Sequence, residues 1–200
     1  MSKNYTDHLT NALTADISRR KFVTTSLAAG IVLPAAMSMA GNAVASTPKK
    51  GGKFRLGMGH GSTTDSLDPG TIENGMGQNV LFAYANHLTE VGNEGQLIPE
   101  LASEYGASAD AKTWTFKIRQ GVTFHDGKAL TPADVEASFR FHMGEDTKSA
   151  AKALLADVTN ISINGNDVVF TLANASADFA FITSDYHFPI LPVRDGQLDW

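Results

Sequence analysis

The sequence predicts an α/β fold, and three observations predict it. Two stretches alternate apolar and polar side chains, Asn164-Gly165-Asn166 stands between two further such runs, and Thr131-Pro132-Ala133-Asp134 opens a stretch with helical spacing. The composition agrees: 42% of the 200 residues are hydrophobic and 18% charged, which is ordinary globular material. With 18 Gly and 7 Pro the chain is neither collagen-like nor a linker, and a net charge of −5 offers no basic face to nucleic acid. Cysteine is absent, which removes disulfides, Cys-ligated zinc, iron–sulfur clusters, thiol nucleophiles and a lipidated N-terminal cysteine.

The first 45 residues read as an export signal. Arg19 and Arg20 are followed by Lys21-Phe22, and no charge then appears between Phe22 and Pro48. The apolar run is interrupted by Gly30 and Pro34 and ends at Ala43-Val44-Ala45, an A-x-A site with cleavage after Ala45. This is the pattern of a twin-arginine signal. The competing reading is a retained membrane span, since the run reaches the ~20 residues that one needs. The helix-weakening Gly30 and Pro34 and the small-residue site favour cleavage. Residues 1–45 carry Lys3, Arg19, Arg20 and Lys21 against Asp7 and Asp16, so losing this +2 segment takes the net charge from −5 to −7.

Elements follow in order. Phe54, Leu56 and Met58 alternate with polar or small neighbours, predicting a half-buried strand over Lys53–His60, followed by a polar loop to Gly70. Asn79–Leu88 has helical spacing through Val80, Tyr84 and His87. Trp114, Phe116 and Ile118 predict a second strand, and Phe124-His125-Asp126-Gly127 a tight turn, because Asp-Gly supports positive φ. Thr131 can cap a helix whose first position is Pro132, with Asp134 facing the dipole and Val135, Ser138, Phe139 and His142 on one face. A further helix is predicted over 146–158, then a hairpin with Ile161 and Ile163 before the Asn-Gly-Asn turn and Val168, Phe170 and Leu172 after it. No internal repeat and no linker is visible from 49 to 200.

Chemical motifs are scarce. The sequence has no G-x-S-x-G, P-loop, H-E-x-x-H or EF-hand loop. His60, His87, His125, His142 and His187 show no i, i+3 or i+4 pairing, so no metal site is predicted. His125-Asp126 reads as a structural turn rather than a base with its orienter. Lys49, Lys50 and Lys53 read as a solvated lead-in to the processed chain. Gly57-Met58-Gly59-His60-Gly61 lacks the spacing of a dinucleotide loop. No catalytic residue and no cofactor is predicted.

An ordered series of phrases resembles the family 5 solute-binding proteins of ABC importers, the dipeptide, oligopeptide and nickel binders. These are Gly51-Gly52-Lys53-Phe54-Arg55-Leu56, Ser66-Leu67-Asp68-Pro69, the Gly95–Tyr105 stretch GQLIPELASEY, TWTFKIR from Thr113, and Gly121–Ser138 (GVTFHDGKALTPADVEAS). Tyr105 stands where that family usually has Trp. The resemblance implies a periplasmic-binding-protein-like, two-lobe fold of class II type. Only the N-terminal part of lobe I and its inserted accessory domain would be present: signal 1–45, first strand and cleft loop 46–75, accessory α/β domain 76–200, the chain stopping before the second lobe.

The function implied is capture of di- or oligopeptides in the periplasm by a monomer that closes on its ligand and docks on inner-membrane ABC permease subunits. Backbone-reading of a peptide would follow β-augmentation logic. The resemblance places the loop after the first strand at the cleft, with Ser62, Thr63, Thr64 and Asp65 as ligand-binding candidates; a plain solvent loop is the competing reading. Met76, Tyr186 and His187 are further cleft candidates. Nickel, opine or oligosaccharide cargo are alternatives within the same role. Nickel is disfavoured because no arginine lies near Tyr186-His187-Phe188-Pro189, Arg194 falling beyond Pro192. A rival of another class is an enzyme exported by the twin-arginine route, which predicts a cofactor motif that this sequence does not show.

Overall fold

A computed structural model of the chain describes residues 51–200, which fall into a segment within Met1–Leu56 and the body Gly57–Trp200. The signal features, Arg19, Arg20 and the Ala45 site included, lie outside the described residues. Within the first segment, residues 51–56 have no regular secondary structure and Phe54 is 87% exposed. The strand predicted over Lys53–His60 is not formed. Period-two patterning supplies only a side-chain alternation; a strand also needs a hydrogen-bonded neighbour, and the described residues give this stretch none.

The body is organised by a four-stranded antiparallel sheet, order β3-β4-β6-β5, built from β3 (Ala102–Ala107), β4 (Thr113–Ile118), β5 (Val158–Asn164) and β6 (Asp167–Leu172). Central strands β4 and β6 bury every second residue, Trp114, Phe116 and Ile118 on one and Val168, Phe170 and Leu172 on the other. This is the alternation read from the sequence. The Gly165-Asn166 turn joins β5 to β6, with Asn164 paired to Asp167 and Gly165 at φ +60°. The Asp126-Gly127 turn also forms: the Gly127 amide donates to the Phe124 carbonyl at 2.9 Å and Gly127 takes φ +87°.

Helix α2 (Pro132–Met143) begins where predicted and buries the predicted face, Val135, Ser138, Phe139 and His142. Asp134 does more than face the dipole. Its Oδ2 accepts from the Thr131 amide at 3.0 Å and the Thr131 hydroxyl at 2.6 Å, while Oδ1 accepts from the Val193 amide at 3.0 Å and pairs with Lys128. The carboxyl is 1% exposed. Burial acts to raise its pKa, but the bonds from Lys128, Thr131 and Val193 outweigh that and hold it below the ordinary range. Phe139 then packs edge-on against Phe170 at 4.9 Å and stacks on Phe188 at 5.3 Å, joining helix, sheet and the 185–192 segment in one core.

Two predicted helices are corrected. The one placed over Asn79–Leu88 is α1 (Gly75–Tyr84), started by Asn74, whose Oδ1 accepts from the Gly77 amide at 2.9 Å. Its two early glycines disfavour a helix, yet a Cβ on Gly77 would lie 2.6 Å from Ile72 Cγ2, so the close approach requires glycine. At the other end, tertiary bonds strip Asn86–Leu88 from the helix. The His87 amide donates to Glu100 Oε2 at 2.7 Å, and the Leu88 carbonyl accepts from the amides of Glu100 and Ala102. The helix predicted over 146–158 is a single 3₁₀ segment, Ala150–Leu155, with Ser149 accepting from the Ala151 amide. From Val158 onward the β-branched residues are claimed by β5. The remaining elements are the β1 (Thr89–Val91)/β2 (Leu97–Pro99) hairpin, helix α3 (Phe179–Ile182), and the two-residue strands β7 (Val193–Arg194) and β8 (Gln197–Leu198).

Candidate functional site

The candidate residues meet at the N-terminal half of α1. Residues 60–65 form a tight loop rather than an open tract. The Ser62 amide donates to Asp65 Oδ2 at 2.6 Å, the Asp65 amide to the Ser62 carbonyl at 3.2 Å, and the Ser62 and Thr64 hydroxyls share a bond of 2.9 Å. Asp65 Oδ1 accepts from Asn74 Nδ2 at 2.8 Å, so one asparagine both caps α1 and anchors the loop. Residues 61–65 are exposed.

Two residues into α1, Met76 closes over the loop: a Cβ on Gly61 would lie 3.0 Å from Met76 Sδ. One half-turn further, Gln78 faces the Tyr186 phenol, with Glu73 also on that side. Partial burial raises the Tyr186 pKa, so the phenol stays protonated and available as a donor. Loop, Met76 and Tyr186 are therefore gathered on two turns of one helix, presenting hydroxyls, a carboxylate, a thioether and a phenol.

His187 is placed differently. It is 6% exposed, its ring centroid lies 3.9 Å from that of Tyr186, and its Nδ1 bonds Asp185 Oδ1 at 2.7 Å. Burial acts to raise the Asp185 pKa, but the His187 side chain and amide, with the His187 and His87 charges, carry it below the ordinary range. Asp185 and His187 thus orient Tyr186 from behind. Sequence reasoning missed Asn74 and Gln78 as site-builders. Asn74 had a legible signal, an Asx residue three positions before Gly77; Gln78 had none, because its role depends on a residue more than a hundred positions away.

Two concavities among the described residues lie away from these side chains. A groove of about 470 Å³ runs between Asp68–Thr71 and Phe141–Ser149, and a cavity of about 100 Å³ lies between Tyr84, His125 and Ile190. Among the described residues no group of three or more His, Cys, Asp or Glu side chains could hold a metal ion. No helix among them is long and apolar enough to cross a membrane.

The family model described as "Bacterial extracellular solute-binding proteins, family 5 Middle" matches residues 96–200. The chain is 31% identical over 124 residues to a probable peptide ABC transporter periplasmic-binding protein, y4tO, of Sinorhizobium fredii, covering 62% of this chain and 22% of that one. It is 25% identical over 160 residues to the oligopeptide-binding protein OppA of Bacillus subtilis, covering 72% and 29%. Among solved structures, AgaA of A. tumefaciens R10 in complex with agropinic acid superposes with TM-score 0.61 at 31% identity, covering 64% of this chain and 26% of that one. Haemophilus influenzae OppA in complex with RPPGFSPFR superposes at 0.59 and 22% identity over 64% and 28%, a likeness of fold. The chain spans between 15% and 29% of the length of the first curated relatives it matches.

Proposed function

Since that match covers more than half of its residues, the chain belongs to the family 5 bacterial extracellular solute-binding proteins, and we propose that it serves an ABC importer by capturing peptides outside the cytoplasm. The observation that carries this reading is the gathering of the Ser62–Asp65 loop, Met76 and Tyr186 on the N-terminal half of α1. A peptide needs polar groups for its backbone and an adaptable apolar contact for varied side chains. The hydroxyl loop and the Tyr186 phenol supply the first, and the flexible Met76 thioether the second.

Within this proposal residues 1–45 are a cleaved twin-arginine signal, 46–75 contribute the lobe I segment and cleft loop, and 76–200 form the accessory domain. The protein acts in the periplasm as a monomer, by lobe closure followed by docking on permease subunits, and performs no catalysis. Peptide cargo is favoured by the names of y4tO and OppA. A second cargo class is favoured by AgaA, whose structure holds agropinic acid at the same 31% identity.

The test is thermal unfolding of the full-length protein with pools of di- to hexapeptides, opines, oligosaccharides or Ni²⁺. Ligand at a hundredfold excess over Kd adds about 2.7 kcal/mol, which reads as a shift of a few degrees. Response to peptides of unrelated sequence supports the peptide reading. Response to another pool alone changes the cargo, and silence from all pools rejects the binding role.

A further inference from the structure

Two buried histidines, His87 and His142, stand against a four-residue segment, Asp185–Phe188, that carries a third, His187. His87 leaves α1 and stands beside the Tyr186 carbonyl; His142, in the last turn of α2, stands beside the His187 carbonyl. Both imidazoles are almost fully buried, and within the segment His187 is bonded to Asp185. We infer that Asp185–Phe188 is an acid-sensitive latch, held closed by His87 and His142 as neutral rings and opened when they take up protons.

His142 Nδ1 is committed to Ser149 Oγ at 2.6 Å, the rings of Phe141 and Phe188 lie edge-on to it at 4.9 and 5.0 Å, and His187 adds a like charge nearby. His87 Nε2 is buried without a hydrogen-bond partner, and the Phe82 ring packs at 5.1 Å. Two carboxylates are close but otherwise engaged. Glu100, whose own pKa burial raises, lies 4.0 Å from His87 Nδ1 and accepts from the His87 amide and from Asn86. Asp185 takes both the amide and Nδ1 of His187, at 3.0 and 2.7 Å. On the outer side Tyr186 meets Gln78 and Glu73, and on α2 Arg140 is paired with Glu136.

A proton on either ring therefore enters a site with no uncommitted anion and little water. Burial lowers both pKa values from 6.5 to about 4, with Asp185 and the adjacent carbonyl opposing it at each ring and His187 adding to it at His142. Release of the segment lets both rings regain water and their ordinary affinity for protons. Opening is thus favoured as pH falls from about 6.5 toward 4. The segment carries Tyr186, but this inference concerns the segment's own equilibrium and stands whatever the cargo.

Hydrogen exchange read by mass spectrometry on the full-length protein tests it. Useful reporters are the amides of Phe188, Ile190 and Leu191, bonded to the Asp185 carbonyl, the Asn86 carbonyl and Ser138 Oγ. After correction for intrinsic exchange, their opening equilibrium should rise at least tenfold between pH 7 and pH 5, with β4 and β6 still protected. A paired variant, His87→Gln with His142→Asn, should flatten that rise. Opening that ignores pH in the native protein, or rises equally in the variant, overturns the latch. Should the variant not fold, NMR titration of the native imidazoles decides: midpoints below about 5.5 for both rings support the inference, and either at or above 5.5 overturns it.

Discussion

Replacing Asp134 with alanine removes the acceptor that ties α2 to two loops, and the structure sets the size of the effect. Thr131 is exposed, so its amide and hydroxyl recover water when the carboxylate goes, and what is lost there is a helix cap of about 1 kcal/mol. The Val193 amide is half-buried and Lys128 is partly shielded, and an unsatisfied partner of that kind costs about 1–3 kcal/mol. We expect a loss of about 2–4 kcal/mol near pH 6. Native-state hydrogen exchange of the full-length protein should read it on peptides covering 131–140 and 193–199. The pH dependence has a definite sign. A carboxyl held below its ordinary 3.8 contributes stability above that value and loses it as pH falls through the folded pKa. The gap between variant and native protein should therefore narrow below pH 4. A loss under about 0.5 kcal/mol, or a gap that persists undiminished in acid, would refute this account of Asp134.

Other outcomes can be checked alongside. Gly77→Ala should destabilise by about 1–3 kcal/mol despite alanine's helix propensity, because its Cβ would overlap Ile72, and adding Ile72→Ala should recover part of the loss; exchange in residues 72–84 reads both. Overall stability should decline as pH drops from about 6.5 to 4, since His87 and His142 are neutral when folded and basic when unfolded; a melting series over that range would show it. Arg19→Lys with Arg20→Lys should leave the protein in the cytoplasm with residues 1–45 attached, read by fractionation and intact mass.

Legibility from sequence followed how local each cause is. The α2 start was readable because Thr131, Pro132 and Asp134 cap one another within four residues. The β5–β6 hairpin was readable because its turn is two residues long. By contrast β3 alternates poorly, interrupted by a bulge between Ala102 and Glu104, so it reads as a polar tract until β4 pairs with it. The C-terminal limit of α1 is set by Glu100 and the strand beyond it, which no window around His87 contains. At the site, the loop and Tyr186 rest on resemblance; Asn74 works through the nearby Gly77 and Asp65, whereas Gln78 depends on Tyr186, which is distant in sequence. The inward aim of His187 depends on Asp185, a neighbour whose side chain could equally have faced solvent.

The order β3-β4-β6-β5 has a consequence for how the chain is made. Every ladder of this sheet is closed between residues 102 and 172, with α2 and the 3₁₀ segment Ala150–Leu155 lying between β4 and β5. At about 5–20 residues per second the ribosome delivers that stretch in roughly 4–14 s. The sheet can therefore zip up on the nascent chain, the β3–β4 and β5–β6 hairpins first and the longer-range β4–β6 ladder joining them, while Phe188 and Ile190 are still to arrive as the lid of its core.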